Sequence, residues 1–270
     1  MSNNNFSIRT IVSEAISITI RKKLDVLIAT TPLVIVFSLI FALYYKIMGK
    51  VDGFALDADP LSEVIPDLKY FFLIFMIMIY GFVKAAVNCH RIYIKRSKLF
   101  FIDAIVPKMR DLKFFGISIL LGLLMIPIGL AIGLLLAGVG AIIDNLSMYN
   151  AQTLTALVMI VSYGIIGVVM CRFMMVLPSR AVDESISFGD AWEATSPVKW
   201  KVFFVLSLIP ILSSLLTESI ASLEGWFFIS VSVALHAMFA LFELALLSLC
   251  YQKLIIDERK REEESVSLQF

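Results

Sequence analysis

Six apolar runs, each long enough to cross the hydrocarbon core of a bilayer, constrain this chain more than any other feature of its sequence. A membrane-spanning helix needs roughly 20 predominantly apolar residues. Of the 270 residues, 60% are hydrophobic and only 17% are charged. We therefore predict an all-α, polytopic membrane protein with six transmembrane helices near residues 25–45, 70–89, 113–136, 153–177, 201–221 and 226–250.

Basic residues are unevenly distributed among the segments that flank these runs. Lys and Arg are frequent before the first run, between the second and third, between the fourth and fifth, and after the sixth. The loop between the first two runs has more acids than bases, and the two remaining loops have neither Lys nor Arg. Because basic loops stay on the cytoplasmic side of a membrane, this pattern predicts that both termini are cytoplasmic.

Three sequence landmarks recur in the same order along the chain. Each recurrence has an acid–alanine pair on an amphipathic segment, then a proline within an apolar run, then a cysteine late in the next run. This order predicts a threefold internal repeat of helical hairpins, each kinked at its proline and preceded by a cytoplasmic amphipathic connector helix. Alternatively, any six-span protein with cytoplasmic connectors shows some self-similarity. The landmarks are Glu14-Ala15, Asp103-Ala104 and Asp190-Ala191; Pro32, Pro127 and Pro210; and Cys89, Cys171 and Cys250.

The repeat also predicts how the chain divides. Residues 1–256 form a single membrane domain, with pseudo-repeat units near 6–92, 95–178 and 183–256. The charged tail, residues 257–270, has few apolar residues and should continue the sixth helix as a frayed end and then become disordered. Gly129 and Gly133 form a small-residue face in the third run that suits close helix contact, which leaves open a homo-oligomer or a membrane protein partner.

Ionisable side chains inside apolar runs are costly in lipid and are therefore candidates for function. His236 and Glu243 are seven residues apart in the sixth run, so they share a helix face about 10 Å apart along the axis. Lys84 and Glu243 lie at similar distances before a repeat cysteine, so they would lie at similar depth and could pair if the repeat alignment holds. We take Lys84, His236 and Glu243 as intramembrane candidates for a proton or anion path or a headgroup pocket. The alternatives are a structural bridge, a Lys84 that snorkels to the interface, and a His236 that bonds a neighbouring helix.

Basic and aromatic residues near the predicted cytoplasmic interface are candidates for contact with lipid headgroups. Exposed cations near an anionic leaflet contribute about 1 kcal/mol each, and Trp is enriched at membrane interfaces. The positive-inside pattern alone would also produce such basic segments. The candidates are Arg91, Lys95, Arg96, Lys98, Lys108, Arg110, Arg172, Trp192, Lys199 and Trp200.

No motif in the sequence predicts catalysis. The chain contains no phosphate-binding P-loop, no zinc-protease HExxH and no GxSxG serine motif, and it has only two His residues. A net charge of +1 gives no reason to expect nucleic-acid binding. The three cysteines lie on the predicted cytoplasmic side, where we expect no disulfides. They could meet and bind a soft metal, but free Cys is more often a small buried hydrophobe. We predict no catalytic residues, no metal and no cofactor.

The region from about residue 165 to 215 carries a composite motif. It has an aromatic-rich helix end, a Leu-Pro pair, an acid, and an amphipathic helix with a spaced Ala and Ser before the next run. The residues are Arg172-Phe173, Leu177-Pro178, Asp183, Ser187, Ala191 and Ser196. This motif resembles that of the glycerophosphoryl diester phosphodiesterase membrane-domain superfamily. The length and the layout of connectors and hairpins resemble the stand-alone YciC-like bacterial inner-membrane proteins.

This resemblance implies a multi-pass protein of the bacterial inner membrane with a role in envelope or lipid homeostasis. It implies no hydrolase activity, because the soluble phosphodiesterase domain of the superfamily is not part of this sequence. Two departures from the motif stand out. Pro197 follows Ser196 where an uninterrupted helix is expected, and Lys199-Trp200 replaces a small residue before the next run.

Two hypotheses for function follow. The first is a non-enzymatic membrane protein that contacts anionic lipid of the cytoplasmic leaflet, or a partner protein, through its basic connectors. The alternative is a small transporter or channel with a path past Lys84, His236 and Glu243. A membrane-embedded enzyme is a weaker third hypothesis.

Overall fold

The structure, a computed structural model, describes residues 6–48, 68–143, 161–162, 164–223 and 225–267. All regular secondary structure in these residues is helical. Within them, six segments are long and apolar enough to cross a membrane, which confirms the predicted all-α class and the number of spans. They are Lys23–Ile40, Phe72–Lys95, Phe101–Leu135, Gly164–Ala181, Phe188–Ala221 and Trp226–Ser267.

The first three helices form a short surface helix followed by a hairpin. Helix α1 (Ile8–Arg21) buries Ile11, Ala15 and Ile18, which lie on one face at helical spacing. Helix α2 (Lys23–Met48) continues through Pro32, and α3 (Leu68–Lys95) packs closely against it. At Gly81 of α3 an added Cβ would lie 3.0 Å from Cγ2 of Val36, so the small residue permits this close approach.

The segment between the second and third spans contains a five-residue helix, α4 (Phe101–Ile105), before the long helix α5 (Met109–Ile143). Helix α5 continues through Pro127, and most of its large apolar side chains are exposed, as expected of a helix that faces lipid. A Cβ added at Gly129 or Gly133 would meet no neighbour within 4 Å, so the predicted small-residue face is open.

The fourth and fifth spans are built from shorter pieces. Helix α6 (164–173) and α7 (Val176–Ala181) lead to α8 (Phe188–Thr195), which begins with a capping box. Ser187 Oγ accepts from the Asp190 N–H, and Asp190 Oδ2 accepts from the Ser187 N–H. The acid of this acid–alanine pair therefore caps its helix.

The fifth span changes its helical hydrogen-bonding pattern just before a proline. Helix α9 (Lys199–Phe203) passes into a π-helical segment (Phe204–Leu208) and then into α10 (Ile209–Ala221), which has Pro210 in its first turn. Proline has no N–H to donate, and the wider π turn accommodates it. Gly167 of α6 packs against this segment, since an added Cβ would lie 2.9 Å from Cε2 of Phe203.

The sixth span is α11 (Trp226–Tyr251), followed by a second π-helical segment (Gln252–Ile256) and α12 (Asp257–Ser267). We expected the tail to continue the sixth helix as a frayed end and then become disordered; the structure describes a helix up to Ser267. Side-chain ion pairs support the start of this helix. Lys253 lies 3.7 Å from Asp257 one turn later, and Arg259 lies 3.7 Å from Glu184.

The main core lies where the connectors meet the ends of α3, α6 and α11. It contains the fully buried Tyr93, Met175 and Leu246. Cys89, Cys171 and Cys250 are also fully buried there, as are Ala15 and Ala191, while Ala104 of α4 is buried outside this cluster. Away from this end, apolar side chains are largely exposed, so the bundle is most tightly packed at the connector end.

Some predictions fall outside the described residues. They concern the acidic loop between the first two spans (49–67), the loop before the fourth span together with the start of that span (144–160), and the last three residues of the tail (268–270).

Candidate functional site

Lys84 is fully buried within α3, and it forms an ion pair with Asp111 in the first turn of α5. Its Nζ lies 2.8 Å from Asp111 Oδ2, and the same oxygen accepts the backbone N–H of Lys108 at 2.8 Å. A buried ammonium is stable only when it is paired and hydrogen-bonded. Asp111 thus caps α5 and neutralises Lys84 at the same time.

Two further side chains on the same face of α3 hold the connector. Tyr80, Lys84 and Asn88 follow each other at intervals of four residues, so they form one stripe. The Tyr80 hydroxyl donates to the Ile105 carbonyl, and the Asn88 amide donates to the Ala104 carbonyl at 3.0 Å. The stripe anchors the segment from α4 to the start of α5.

The predicted pairing of Lys84 with Glu243 is not what the structure contains. Lys84 has Asp111 as its carboxylate partner, whereas Glu243 Oε1 accepts a hydrogen bond from Ser213 Oγ at 2.8 Å. The repeat alignment placed the two residues at the same depth in the membrane. However, the connector folds back onto α3 and brings the Asp111 carboxylate to Lys84, and Asp111 is much closer to Lys84 in sequence than Glu243 is.

The ion-pair network continues from Asp111 towards α7. Arg110 lies between Asp111 and Asp183, with nitrogen–oxygen distances of 3.9 and 3.8 Å. Arg91 donates to Asp183 Oδ2 at 2.7 Å. Asp183 follows α7 with a positive φ of 66°, a conformation that Asp tolerates better than most residues. Arg91 and Arg110, both predicted to contact headgroups, are therefore partly neutralised by the protein itself.

Arg172 is buried and bonded internally, which corrects the prediction that it contacts headgroups. Its Nε donates to Thr195 Oγ1 at 2.9 Å, and its terminal N–H donates to the Trp192 carbonyl. The guanidinium carbon also lies 3.3 Å from the centre of the Trp192 ring. Arg172 therefore fastens α8 to α6. The sequence placed it at a helix end, but could not show that α8 folds over it.

The remaining headgroup candidates lie at the surface. Arg96 pairs with Glu14 at 3.1 Å and Lys108 with Asp103 at 2.6 Å, whereas Lys95 and Lys98 are exposed and form no ion pair in the described part of the chain. Lys199, Trp192 and Trp200 are also exposed.

Large apolar side chains are exposed beside these cations. Phe100 and Ile102 are each 74% exposed and Met109 is 72% exposed. Lys113, which the sequence analysis did not include, is exposed in the same segment. We define the interfacial surface as the exposed residues of this connector: Lys95, Lys98, Phe100, Phe101, Ile102, Val106, Met109, Leu112 and Lys113.

A cavity of about 1400 Å³ lies between α2, α3, α6, α10 and α11. Typical ligand pockets have volumes of about 300–1,000 Å³, so this cavity has room for a large molecule. His236 and Glu243 both line it, in agreement with their predicted common face, and Glu218 of α10 lines it as well. Lys84 is not among the described lining residues. Two of the three intramembrane candidates therefore share one site and the third belongs to the ion-pair network.

The polar groups of the cavity are mainly hydrogen-bond acceptors. The hydroxyls of Ser207, Thr217 and Ser232 already donate to backbone carbonyls, at 2.8–3.0 Å. Glu243 Oε2 has no hydrogen-bond partner among the described residues. No Lys or Arg is found among the described residues that line the cavity, and the rest of its wall is largely apolar. The cavity therefore presents the partly buried Glu243 carboxylate in a largely apolar surrounding, with Glu218 exposed.

His90 and the three cysteines are further buried residues with polar or sulfur-containing side chains. His90 is fully buried, and its Nδ1 lies 2.7 Å from Ser248 Oγ. The sequence analysis did not single it out, because it stands beside Arg91 at the end of an apolar run. The described residues contain no cluster of three or more His, Cys, Asp or Glu that could hold a metal ion.

Sequence reasoning did not identify Asp111, Asp183 or Ser213 as polar partners, although Asp183 belongs to the composite motif. Ser213 lies in an apolar run rich in Leu, Ile and Ser, and both aspartates lie in connectors where acids are common. No protein-family model, curated protein or solved structure matches the chain, so the resemblance to the phosphodiesterase membrane-domain superfamily stays a prediction.

Proposed function

We propose that the protein is a non-enzymatic integral membrane protein that binds anionic lipid at its interfacial surface. The observation that carries this proposal is the combination of unpaired cations with exposed aromatic and aliphatic side chains in one connector. Lys95 and Lys98 have no carboxylate partner in the described residues, and Phe100 and Ile102 are exposed beside them. Such a surface fits the boundary between headgroups and acyl chains, where apolar side chains enter the bilayer and cations meet phosphates.

The proposed orientation places this surface at the cytoplasmic leaflet of a bacterial inner membrane, with both termini cytoplasmic. The distribution of Lys and Arg among the loops supports the orientation, and six apolar helices support a multi-pass protein. The proposal includes a threefold repeat of hairpins with connector helices α1, α4 and α8. The repeat is supported by the full burial of all three landmark alanines and all three landmark cysteines.

The experiment that tests the proposal compares two double variants of equal charge change. Lys95→Gln/Lys98→Gln removes two cations of the interfacial surface, whereas Lys260→Gln/Arg261→Gln removes two exposed cations of α12. Native mass spectrometry of protein extracted with its lipids, and titration with phosphatidylglycerol, measure binding. Since each exposed cation contributes about 1 kcal/mol near an anionic surface, the first variant should weaken binding roughly 30-fold. Equal lipid retention by the two variants would refute the proposal.

A small transporter is the second candidate, and the cavity is the observation that favours it. Glu243 and His236 line a large opening between helices that include the one with Pro210 in its first turn. This candidate predicts that Glu243→Gln changes flux in proteoliposomes while the protein remains folded. Loss of folded protein would instead indicate that the Ser213–Glu243 hydrogen bond is structural.

A further inference from the structure

We propose that the cavity between α2, α3, α6, α10 and α11 binds a lipophilic organic cation, with Glu243 as its counter-ion. This inference goes beyond the lipid contact proposed above, because it concerns a different site with the opposite charge preference. The interfacial surface offers cations to an anion, whereas the cavity offers carboxylates to a cation.

The charge of the described lining favours a cationic ligand. Glu243 is partly buried and Glu218 is exposed, and no Lys or Arg lies among the described lining residues to neutralise Glu243. An ionised carboxylate in apolar surroundings is costly unless a positive charge is near. Lys84, the buried cation of the neighbouring helix, is already paired with Asp111 and is not in the described lining. A positive charge supplied by a ligand would satisfy this requirement.

The hydrogen bonding of Glu243 fixes one carboxylate oxygen and leaves the other available. One carboxylate oxygen, Oε1, accepts from Ser213, and the Ser213 hydroxyl also lies 2.8 Å from the Pro210 carbonyl. The other oxygen, Oε2, has no partner in the part of the chain that the structure describes. Glu243 is thus held in place by α10 while one oxygen remains available to the cavity.

The size of the cavity and the composition of its wall suit a bulky apolar ligand. A volume of about 1400 Å³ with a largely apolar lining accommodates a bulky hydrophobic body. Phe37 and Phe82 both line the cavity, with ring centres 6.1 Å apart and planes at 87°. Aromatic faces attract cations and add to the carboxylate. An anionic lipid would bring its phosphate to the same carboxylates without a compensating cation, so the cavity disfavours anionic lipids.

The test uses two probes that match in size and apolarity but differ in charge. Equilibrium binding of radiolabelled tetraphenylphosphonium and of tetraphenylborate is measured on the purified full chain in a neutral detergent. We expect saturable binding of the phosphonium cation by the unaltered chain, and no saturable binding of the borate anion by the Lys95→Gln/Lys98→Gln variant, in which two cations of the interfacial surface are removed. Saturable borate binding by that variant, or no saturable binding of the phosphonium, would overturn the proposal.

Variants assign the binding to the cavity. Glu243→Gln keeps an oxygen for Ser213 and removes the charge, so it should weaken phosphonium binding by about tenfold or more. Ala240→Phe fills the cavity and should abolish binding, whereas Ala234→Phe alters an exposed residue of the same helix that is not in the described lining and should leave it unchanged. Unchanged binding in both Glu243→Gln and Ala240→Phe contradicts the proposal.

The same assay separates this inference from the proposed function. The Lys95→Gln/Lys98→Gln variant should lose anionic lipid and keep phosphonium binding, because neither lysine is among the described lining residues. Gel filtration of every variant confirms that the protein remains folded, and a folded Ala234→Phe protein shows that this helix tolerates an added phenyl ring.

Discussion

Lys84 Nζ lies 2.8 Å from Asp111 Oδ2, and both side chains are buried. The pair joins the middle of the second span to the first turn of the third, and Tyr80 and Asn88 hold the connector on either side of it. If the connector moved away from α3, the Lys84 ammonium would lose its carboxylate partner or become exposed. The ion pair therefore helps to fix the position of the connector, and with it the position of the interfacial surface.

Removing the carboxylate of this pair should strongly destabilise the protein. Asp111→Ala leaves Lys84 buried without a counter-ion, which typically costs about 3–5 kcal/mol. Denaturant or thermal unfolding in mild detergent measures the loss. Asp103→Ala is the matched control, because Asp103 pairs with Lys108 at the surface and its removal should change stability little.

A double variant separates the ion pair from other roles of Asp111. Replacing both partners, as in Lys84→Met/Asp111→Leu, removes the buried charges together and should be clearly more stable than Asp111→Ala. If the double variant is as unstable as the single one, the cap of α5 and not the charge pair determines the stability.

Sequence reasoning identified the spans and several polar residues but not their partners. Lys84 was recognised as a candidate because an ammonium in an apolar run is costly. Its partner depends on how a connector folds back onto α3. The spacing of apolar residues along the chain does not encode that fold. The same is true of Arg172. Its position at a helix end suggested contact with lipid headgroups, but it is buried because α8 folds over it. His236 and Glu243 were placed on one face correctly, because helical spacing alone determines that relationship.

Replacing Arg172 by lysine should loosen α8. Lysine keeps the charge but loses the planar group that stacks on Trp192 and bonds Thr195 at the same time. We expect a loss of about 1–3 kcal/mol and faster hydrogen exchange within Phe188–Thr195. Arg259→Lys is the control, because Arg259 is half exposed. Unchanged exchange in α8 would show that other contacts hold this helix.

The proposed orientation, with both termini cytoplasmic, predicts that reporters fused to either end of the chain indicate the same side of the membrane. Green fluorescent protein fused after Phe270 should fluoresce, and alkaline phosphatase at the same position should be inactive, because the first folds in the cytoplasm and the second outside it. A fusion of either reporter at Met1 should give the same answer. Active phosphatase at either end would contradict the proposed topology.

Gly167 provides a test of the packing that closes one wall of the cavity. An added Cβ would lie 2.9 Å from Phe203 Cε2 and 3.2 Å from Ser207 Cβ, and the Ser207 hydroxyl bonds the Gly167 carbonyl. Gly167→Ala should therefore destabilise the protein by about 1–3 kcal/mol, because the π-helical segment must move away.

Gly164, one turn earlier in the same helix, is the matched control. A Cβ there meets no neighbour within 4 Å, so Gly164→Ala should be neutral or stabilising by about 0.5–1 kcal/mol, as expected for alanine in a helix. The difference between the two variants in unfolding experiments measures the contact itself. If both variants are equally stable, α6 does not pack against the fifth span at Gly167, and the cavity is open on that side.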